Sequence, residues 1–189
     1  MNFLEEKILN DGLTRQGNIL QIDNFLNHQI DVALLAEAGK AFYDHFCNRN
    51  INKILTVEAS GIAVACMTAQ YFQVPVSFAK KSKSLNLDND LYTSVVHSYT
   101  YDRDNTLTVS KRFLTKDDNI LIIDDFLATG NAVNGLLDLC AQAGASVAGI
   151  GIAIEKGFQG GGDVLRTQGY DVFSLAVIDE MSDKGIKFR

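Results

Sequence analysis

The chain has 189 residues, and its composition, 47% hydrophobic and 21% charged, is typical of a folded globular protein. Its 17 basic and 23 acidic residues leave a formal net charge of −6, which disfavours nucleic acid and acidic membrane surfaces as partners. The amino-terminal residues lack the basic start of a secretory signal, and no window contains the roughly 18 apolar residues of a membrane span. We therefore expect one soluble domain over residues 1–189, located in the cytoplasm.

The three cysteines, Cys47, Cys66 and Cys140, are far apart in the sequence. Each lies among apolar residues, as a small core side chain would, and an odd number does not suggest a disulfide framework. We expect three reduced thiols buried in the core.

The amino-terminal quarter predicts two helices separated by an irregular segment. Residues 3–10 have the composition of a short helix that stops near Gly12. Residues 13–30 mix polar and apolar side chains without sustained periodicity, so we expect them to form an appendage to the core. Asp31 fits the N-cap of a second helix that runs to about residue 49. Four residues of that helix share one face and should pack on the core: Leu35, Gly39, Phe42 and Phe46.

The middle of the chain predicts a βαβ unit followed by a hairpin. The unit consists of a short apolar run, a segment of helical length and a β-branched run that Pro75 opens, at 51–59, 60–72 and 74–80. After a charged stretch at 80–92, two alternating segments at 93–101 and 106–113 predict an antiparallel hairpin.

Three apolar runs complete the predicted strands, at 119–125, 146–155 and 172–178. The first is continuous, which is typical of a central parallel strand buried on both faces, and a helix that ends near Gly144 follows it. A glycine-rich segment and a short helix separate the other two. This order of elements predicts an α/β fold, a mostly parallel sheet flanked by helices with a hairpin insertion.

The first of these runs ends in two acids, Asp124 and Asp125, where open α/β sheets bind ligands. The residues beyond them are small and lead into a helix: Ala128, Thr129, Gly130, Asn131 and Ala132. Small residues let a backbone approach a phosphate closely, and the amides and dipole at a helix amino terminus favour an anion. The carboxylates suit ribose hydroxyls or, through water, a hydrated Mg²⁺. Alternatively, Thr129 or Asn131 caps a helix and the acids are solvated at a strand end.

Other motifs give no support for a different chemistry. The acidic block is neither a Walker A loop, since GxxxxGK is missing, nor a GxGxxG dinucleotide turn. His28, His45 and His97 lack ligand-like spacing, and no order of Ser, His and Asp suggests a nucleophile triad. We expect the histidines to be structural or surface residues.

Two further segments could contact the same anion. At a predicted strand end, Ser60 and Gly61 open the next helix and could present amides to pyrophosphate, although a plain strand-to-helix turn is the alternative. A polar stretch before the hairpin could fold over a pyrophosphate leaving group as a mobile lid, although solvated charge is the commoner meaning of such a run. It holds the densest basic run of this acidic chain: Lys80, Lys81 and Lys83.

The run ILIIDDFLATGNAV at 120–133 resembles the binding signature for phosphoribosyl pyrophosphate (PRPP) in the type I phosphoribosyltransferases. The resemblance implies that the loop after the acids binds the 5′-phosphate, that Asp124 and Asp125 contact the ribose hydroxyls, and that Mg²⁺ bridges ribose and pyrophosphate. Asn131 and Ala132 stand where a Gly-Thr or similar pair is frequent in that family. This departure leaves one fewer hydroxyl for phosphate.

Two more segments, EASGIA at 58–63 and AKKSKS at 79–84, resemble the xanthine phosphoribosyltransferases of bacterial purine salvage, and the likeness extends over essentially the whole chain. It implies the type I phosphoribosyltransferase fold, an amino-terminal hood formed by residues 1–30 over the active site, and a homodimer. It also implies three contacts to the base: Leu20, Asn27 and Lys156. Lys156 follows a predicted strand and has three donors for exocyclic oxygens, which suits an oxopurine.

The implied reaction transfers the 5-phosphoribosyl group of PRPP, with Mg²⁺, to N9 of xanthine, giving xanthosine 5′-monophosphate and pyrophosphate. Physical reasoning from the residues leaves the base open, with guanine, hypoxanthine, adenine and orotate as alternatives. A PRPP-binding transcriptional regulator is another alternative, but the chain has no appended helix-turn-helix segment and its net charge has the wrong sign for DNA.

Overall fold

A computed structural model of the protein describes residues 1–15, 19–82, 90–98, 103–182 and 185–189. Its α-helices are α1 (Phe3–Asp11), α2 (Val32–Phe46), α3 (Ser60–Phe72), α4 (Asn131–Ala143) and α5 (Gly161–Thr167). Its strands are β1 (Leu13–Arg15), β2 (Ile19–Gln21), β3 (Lys53–Val57), β4 (Val76–Ser82), β5 (Leu91–Ser98), β6 (Arg103–Ser110), β7 (Asn119–Leu127), β8 (Ser146–Lys156), β9 (Val172–Ser182) and β10 (Gly185–Phe188). A π-helical turn spans Asp23–Asn27 and a 3-10 turn spans Gly157–Gln159. Within the described ranges, no helix is both long enough and apolar enough to cross a membrane.

Eight strands form one sheet in the order β10-β9-β8-β7-β3-β4-β6-β5. The central strands β4, β3, β7, β8 and β9 are parallel, and β5, β6 and β10 run antiparallel to their neighbours. The hairpin extends the sheet because β6 pairs with the end of β4, where Lys80 is opposite Thr108 and Lys81 is opposite Leu107. The predicted α/β fold, mostly parallel with a hairpin insertion, is confirmed.

The central strand β7 is a continuous apolar run because helices cover both of its faces. Ile120 and Ile122 pack in a core cluster with the buried side chains of α4. Leu121 and Ile123 pack in a second cluster with α2 and α3. All four isoleucine and leucine side chains are fully buried. A strand that is buried on both faces has no polar alternation, which explains why its sequence pattern is so easily recognised.

Helix α2 begins where its capping residue predicts. The Asp31 carboxylate accepts a hydrogen bond from the amide of Leu34 at 3.1 Å, and the predicted apolar face, including Phe42 and Phe46, is buried. The helix ends at Phe46, earlier than the predicted end near residue 49.

Residues 13–30 are not an appendage, and that prediction was wrong. Strands β1 and β2 pair as a small antiparallel hairpin, and the π-helical turn follows directly. Four side chains of this region belong to the same core cluster as α2: Leu20, Ile22, Phe25 and Leu26. Two strands of three residues and one turn are too short to produce a sustained period, so their apolar residues showed no pattern in the sequence.

The prediction of three buried cysteines was also wrong, because Cys47 and Cys66 are exposed and only Cys140 is buried. Consecutive residues of a helix point in different directions, so a cysteine among apolar neighbours can still lie on the solvent side. Cys66 does so on α3, and Cys47 lies at the end of α2. All three thiols are free, as predicted.

The carboxyl-terminal part of the sheet is longer than predicted. β9 continues to Ser182, and β10 returns antiparallel beside it with Ile186 opposite Met181. The hairpin strands β5 and β6 also begin and end earlier than the predicted segments at 93–101 and 106–113.

Candidate active site

The carboxyl ends of β3, β7 and β8 lie side by side, because these strands are parallel neighbours in the sheet. β3 leads into the turn at Glu58, β7 leads into the loop 128–132, and β8 ends at Lys156. Leu127 of β7 is paired in register with Glu155 of β8. Segments that are far apart in the sequence therefore meet at one edge of the sheet.

The loop 128–132 turns from β7 into the first residues of α4. Gly130 has a φ angle of 90°, in the left-handed region that favours glycine, and it occupies the N-cap of α4 without a capping side chain. Its carbonyl accepts the first helical hydrogen bond from the amide of Asn134 at 2.8 Å. A glycine turn at the amino terminus of a helix suits a phosphate group.

A cavity of about 450 Å³ opens beside this loop, a size in the range of small-molecule sites. All of loop 128–132 lines it, together with Phe126 and Leu127 at the end of β7. Lys81 of β4, Asn105 of β6 and Gln159 after β8 contribute polar groups to its wall. The cavity therefore combines an anion-binding turn, a cationic side chain and an aromatic ring.

The two acids differ in their surroundings. Asp124 is buried, with 3% of its surface exposed, while Asp125 is half-buried. The backbone amide of Asp125 donates to Oδ1 of Asp124 at 3.1 Å. Burial raises the pKa of Asp124 well above its usual value, the charge of Asp125 and a hydrogen bond with its side chain raise it further, and Lys81 opposes the shift weakly. The free protein therefore disfavours the ionised form of Asp124.

The turn after β3 is held against β4 by Glu58. Its Oε1 accepts a hydrogen bond from the amide of Lys81 at 2.6 Å, and its own amide donates to the carbonyl of Ala79 at 3.1 Å. The peptide bond between Glu58 and Ala59 is cis. These contacts fix the backbone from which the Lys81 side chain reaches the cavity.

Lys156 lies at the end of β8 and is half-buried. Its Nζ lies 5.6 Å from the centroid of the Phe126 ring, a distance at which an ammonium is attracted to an aromatic face. Burial lowers the pKa of Lys156 from its usual value. Phe126 lines the cavity and Lys156 does not, so the lysine lies next to a residue of the cavity wall.

A sequence model described as the phosphoribosyl transferase domain matches residues 21–182. The chain belongs to the phosphoribosyltransferase family. The family and the enzyme class predicted from the sequence are thereby confirmed.

Two relatives match over nearly the whole of both chains. This phosphoribosyltransferase is 54% identical to the xanthine phosphoribosyltransferase of Bifidobacterium adolescentis, with 100% of each chain covered. It is also 54% identical to the xanthine phosphoribosyltransferase of Ruminiclostridium cellulolyticum, with 100% of this chain and 99% of the relative covered.

Solved structures with the same fold include two adenine phosphoribosyltransferases. The enzyme of Giardia lamblia complexed with 9-deazaadenine superposes with a TM-score of 0.74 and 22% identity, covering 88% of this chain and 92% of that one. The enzyme of Thermoanaerobacter pseudethanolicus superposes with a TM-score of 0.73 and 20% identity, covering 92% and 98%. These likenesses establish the fold of the phosphoribosyltransferase.

The structure brings most, but not all, of the predicted anion-binding residues together. All of loop 128–132 and Lys81 line the cavity, and Gly61 lies against Asp124 behind it. Ser60 is the first residue of α3, immediately before Gly61.

Lys80 points away from the cavity, since consecutive strand residues face opposite sides, and it borders a second hollow on the other face of the sheet. Lys83 lies outside the described residues.

The predicted base contacts are spread more widely. Lys156 lies beside the cavity wall, whereas Leu20 is buried in the core cluster with 7% of its surface exposed. Asn27 is exposed at the end of the π-helical turn. Neither Leu20 nor Asn27 lines the cavity beside loop 128–132, and their roles remain predictions.

Phe126 and Gln159 were not singled out from the sequence, although both line the cavity. The signal for Phe126 was present, because it directly follows the two acids at a strand end where other residues of the site lie. Gln159 gave no signal, since it belongs to a 3-10 turn in a glycine-rich segment that has no periodicity.

Proposed function

We propose that the protein is a xanthine phosphoribosyltransferase, which joins N9 of xanthine to C1′ of PRPP and releases pyrophosphate and xanthosine 5′-monophosphate. The observation that carries this proposal is the 54% identity, over the full length of both chains, to a relative named for that activity. The position of Lys156 beside the cavity wall supports it further, because an ammonium can donate to the exocyclic oxygens of an oxopurine.

The 5′-phosphate binds in loop 128–132. There the backbone amides at the amino terminus of α4 and the hydroxyl of Thr129 donate to its oxygens. The ribose then lies toward β7, where Asp125, the more exposed of the two acids, accepts from its hydroxyls. Asp124, the buried neighbour of Asp125, would add negative charge near the carbon on which positive charge develops when a bound cation favours its ionised form.

A Mg²⁺ ion bound with PRPP fits the donor set. The described part of the chain contains no cluster of three or more metal-binding side chains, and Mg²⁺ characteristically uses one or two carboxylates, substrate oxygens and waters. The raised pKa of Asp124 is consistent with the fit, because a nearby cation would favour the ionised form that burial and the charge of Asp125 disfavour. Asp124 and Asp125 would hold the ion, which would neutralise the departing pyrophosphate.

The base binds beside Phe126 and Lys156, where an aromatic ring and an ammonium group can contact its face and its edge. Leu20 and Asn27, in the proposed hood, would complete the pocket. The reaction then passes through an oxocarbenium-like transition state without a covalent enzyme intermediate. Holding N9 in line with C1′ supplies much of the rate enhancement, and exclusion of water prevents hydrolysis of PRPP.

The positive charge of Lys81 lies in the cavity and stabilises the leaving pyrophosphate. Ser60 and Gly61 add backbone amides from the start of α3. Lys83 belongs to the basic stretch that would close over the site as a lid. Lys80 does not, because it is paired with Thr108 in the sheet and faces the side away from the cavity.

A homodimer in the cytoplasm completes the proposal. The face of the sheet that Lys80 borders has an apolar surface, where Phe78 and Phe113 are 40% and 57% exposed. With Val76 and Leu91 they border a hollow of about 540 Å³. An exposed apolar patch of this kind supports self-association. The measurement that tests this part is the molecular mass in solution. A monomeric mass at micromolar protein would contradict it.

The decisive test of the reaction is pyrophosphate release from PRPP and Mg²⁺ with xanthine, guanine, hypoxanthine, adenine or orotate offered in turn. Strong preference for xanthine is the expected result. Turnover with a different base would retain the PRPP site and overturn the base assignment. PRPP binding without turnover of any base would favour a non-catalytic regulator.

A further inference from the structure

Glu155 is a carboxylate buried at the carboxyl end of β8, with 1% of its surface exposed. Its Oε1 accepts from Nη1 of Arg166 at 2.8 Å, and its Oε2 accepts from Nη2 of the same guanidinium at 2.7 Å. The hydroxyl of Ser174 donates to Oε2 at 2.5 Å. Arg166 belongs to α5 and Ser174 to β9, so one carboxylate joins three elements.

The Glu155 carboxylate also lies directly against the backbone of α5. A Cβ atom built on Gly162 would fall 2.5 Å from the Cδ of Glu155, which is closer than such atoms can approach. Residue 162 must therefore lack a side chain for the bidentate pair to form. The distance between α5 and the end of β8 is therefore tightly constrained at this contact.

The first residue of the same short helix touches the proposed phosphate site. The amide of Gly161 donates to the carbonyl of Ala128 at 3.1 Å, and a Cβ on Gly161 would lie 2.7 Å from the amide nitrogen of Gly130. The first residue of α5 thus supports loop 128–132 from behind. The position of the loop depends on the position of α5.

Lys156, the proposed contact to the base, follows Glu155 in the sequence and points to the other face of β8. The backbone that carries Lys156 is therefore the backbone that Arg166 and Ser174 hold. The two proposed binding sites are connected through protein by a short path, from Lys156 to Glu155, to α5, and to loop 128–132.

We infer that Glu155 is a positioning residue for the transfer reaction, a role that rests on the function proposed above. Its bidentate pair with Arg166 locks α5 against the end of β8, and this fixes the spacing between the base held by Lys156 and the sugar phosphate held by loop 128–132. The in-line approach of N9 to C1′ requires that spacing.

Stability alone does not explain the choice of residues. An ion pair with a buried partner contributes little to folding compared with apolar residues of similar volume, because Glu155 and part of the Arg166 guanidinium lose their hydration. What Arg and Glu add is a planar contact with two parallel hydrogen bonds, which fixes orientation as well as distance. Burial on its own would raise the pKa of Glu155, but the hydrogen bonds from Arg166 and Ser174 outweigh it and leave this pKa below its usual value. The carboxylate stays ionised and the contact persists at neutral pH.

The variant Glu155→Gln tests the inference, because it keeps the size of the side chain and removes the charge and one acceptor. The kcat should fall by about 10- to 100-fold, as expected for a small misplacement of reacting groups. The dissociation constant of PRPP measured without a base, and the KM for the base, should each change by only a few-fold. Since each substrate keeps its own contacts, the loss should appear in kcat.

The matched control is Lys53→Met, which breaks another shielded ion pair, Lys53 with Asp118 at 2.8 Å, at the amino end of β3. Both variants should have a lower Tm, and only Glu155→Gln should lose kcat when rates are measured well below both melting temperatures. If Glu155→Gln does not fold, Arg166→Lys replaces it. That variant keeps the charge without the bidentate geometry, and its kcat should also fall.

A wild-type kcat in a folded Glu155→Gln or Arg166→Lys variant would overturn the inference, as would an equal loss of kcat in the Lys53→Met control. The base preference of the wild-type enzyme is determined first. If that base is not xanthine, the proposed function fails, and the same variants are assayed with the preferred base. The two failures are therefore distinguishable.

Discussion

Gly61 lies so close to Asp124 that a Cβ atom at residue 61 would stand 2.7 Å from the carboxylate oxygen Oδ1. The same atom would overlap the hydroxyl of Thr56, a buried oxygen for which the described structure provides no hydrogen-bond partner. The start of α3 and the acidic end of β7 are thus in contact through a residue without a side chain. This contact ties the proposed pyrophosphate segment to the proposed sugar-binding acids.

The variant Gly61→Ala should therefore damage catalysis more than folding. The new methyl group must displace Asp124 or the first turn of α3, and both belong to the proposed site. We expect kcat/KM for PRPP to fall by about 10²-fold, the size typical of a displaced charged group in an active site. Steady-state kinetics with varied PRPP measures this loss.

A suitable control is Gly169→Ala, at a glycine with a positive φ that has no atom within 4 Å of an added Cβ and lies after α5. It should lower the Tm through backbone strain and leave kcat/KM unchanged. A Gly61→Ala enzyme with wild-type kcat/KM would show that the close contact with Asp124 has no functional role.

Thiol reactivity should divide the cysteines into two classes. Cys47 and Cys66 are exposed, whereas burial, and then the nearby charge of Asp118, raises the pKa of Cys140 to about 12. Because the thiolate is the reactive form, a disulfide reagent at pH 8 should modify two thiols of the native protein quickly and the third only after unfolding. Absorbance of the released thiol follows the reaction, and rapid modification of all three would contradict the burial of Cys140.

The sequence predicted the parts of this molecule that follow one strong period or one long motif. The run at 120–133 contains a doubly buried strand, two acids and a glycine turn, and the structure has each of them in place. Helix α3 was predicted with the bounds that the structure shows. In such segments the secondary structure that the sequence pattern favours is the one that the packing of the fold stabilises, so the sequence alone is enough to predict it.

The errors lie where contact depends on partners far along the chain. Leu20 and Phe25 are buried in one core cluster with side chains of α1, α2, α3 and the sheet, and residues 13–30 carry no periodic sign of that burial. The roles of Lys80 and Lys81 cannot be separated by composition, since only the pairing of β4 with β6 shows that they face opposite sides of the sheet. Glu155 gave no signal at all, because its partners Arg166 and Ser174 lie beyond it in α5 and β9.

The variant Lys156→Ala should weaken binding of the base much more than binding of PRPP. The ammonium lies beside Phe126 and does not line the cavity at loop 128–132, so its removal should delete donors to the base and leave the phosphate site intact. We expect KM for the base to rise by roughly 10- to 100-fold, as for loss of one or two charge-assisted hydrogen bonds. The dissociation constant of PRPP, measured by calorimetry without a base, should stay near the wild-type value.

Lys187→Ala is a matched control, because Lys187 is exposed on β10 and pairs only with Glu180 in the described structure. It should leave both constants unchanged. Equal losses of base and PRPP binding in Lys156→Ala would contradict the role assigned to this lysine.

The variant Asp124→Asn should stabilise the free enzyme while it weakens catalysis. Folding buries Asp124, and burial together with the charge of Asp125 raises its pKa above the unfolded value of 3.8. Below pH 3.8 the Asp124 carboxyl is neutral in both the folded and the unfolded state, so its ionisation does not affect the free energy of unfolding. As the pH rises from 3.8 towards the folded pKa, the unfolded state gains from ionisation and the folded state does not, so wild-type stability falls; above the folded pKa both states are ionised and the loss is constant. An asparagine is neutral throughout and avoids this loss.

The difference in Tm between Asp124→Asn and wild type should therefore be small near pH 4.5 and grow to a few degrees near pH 7.5. Calorimetric melting of both proteins across this range measures it, with Asp117→Asn, an exposed site, as a control that should show no such trend. Adding PRPP with Mg²⁺ should raise the Tm of the wild type more than that of the variant, because ligand that binds only the folded state stabilises it. A difference that is largest at low pH would mean that Asp124 is ionised and favourably paired in the free enzyme, contrary to its burial beside Asp125.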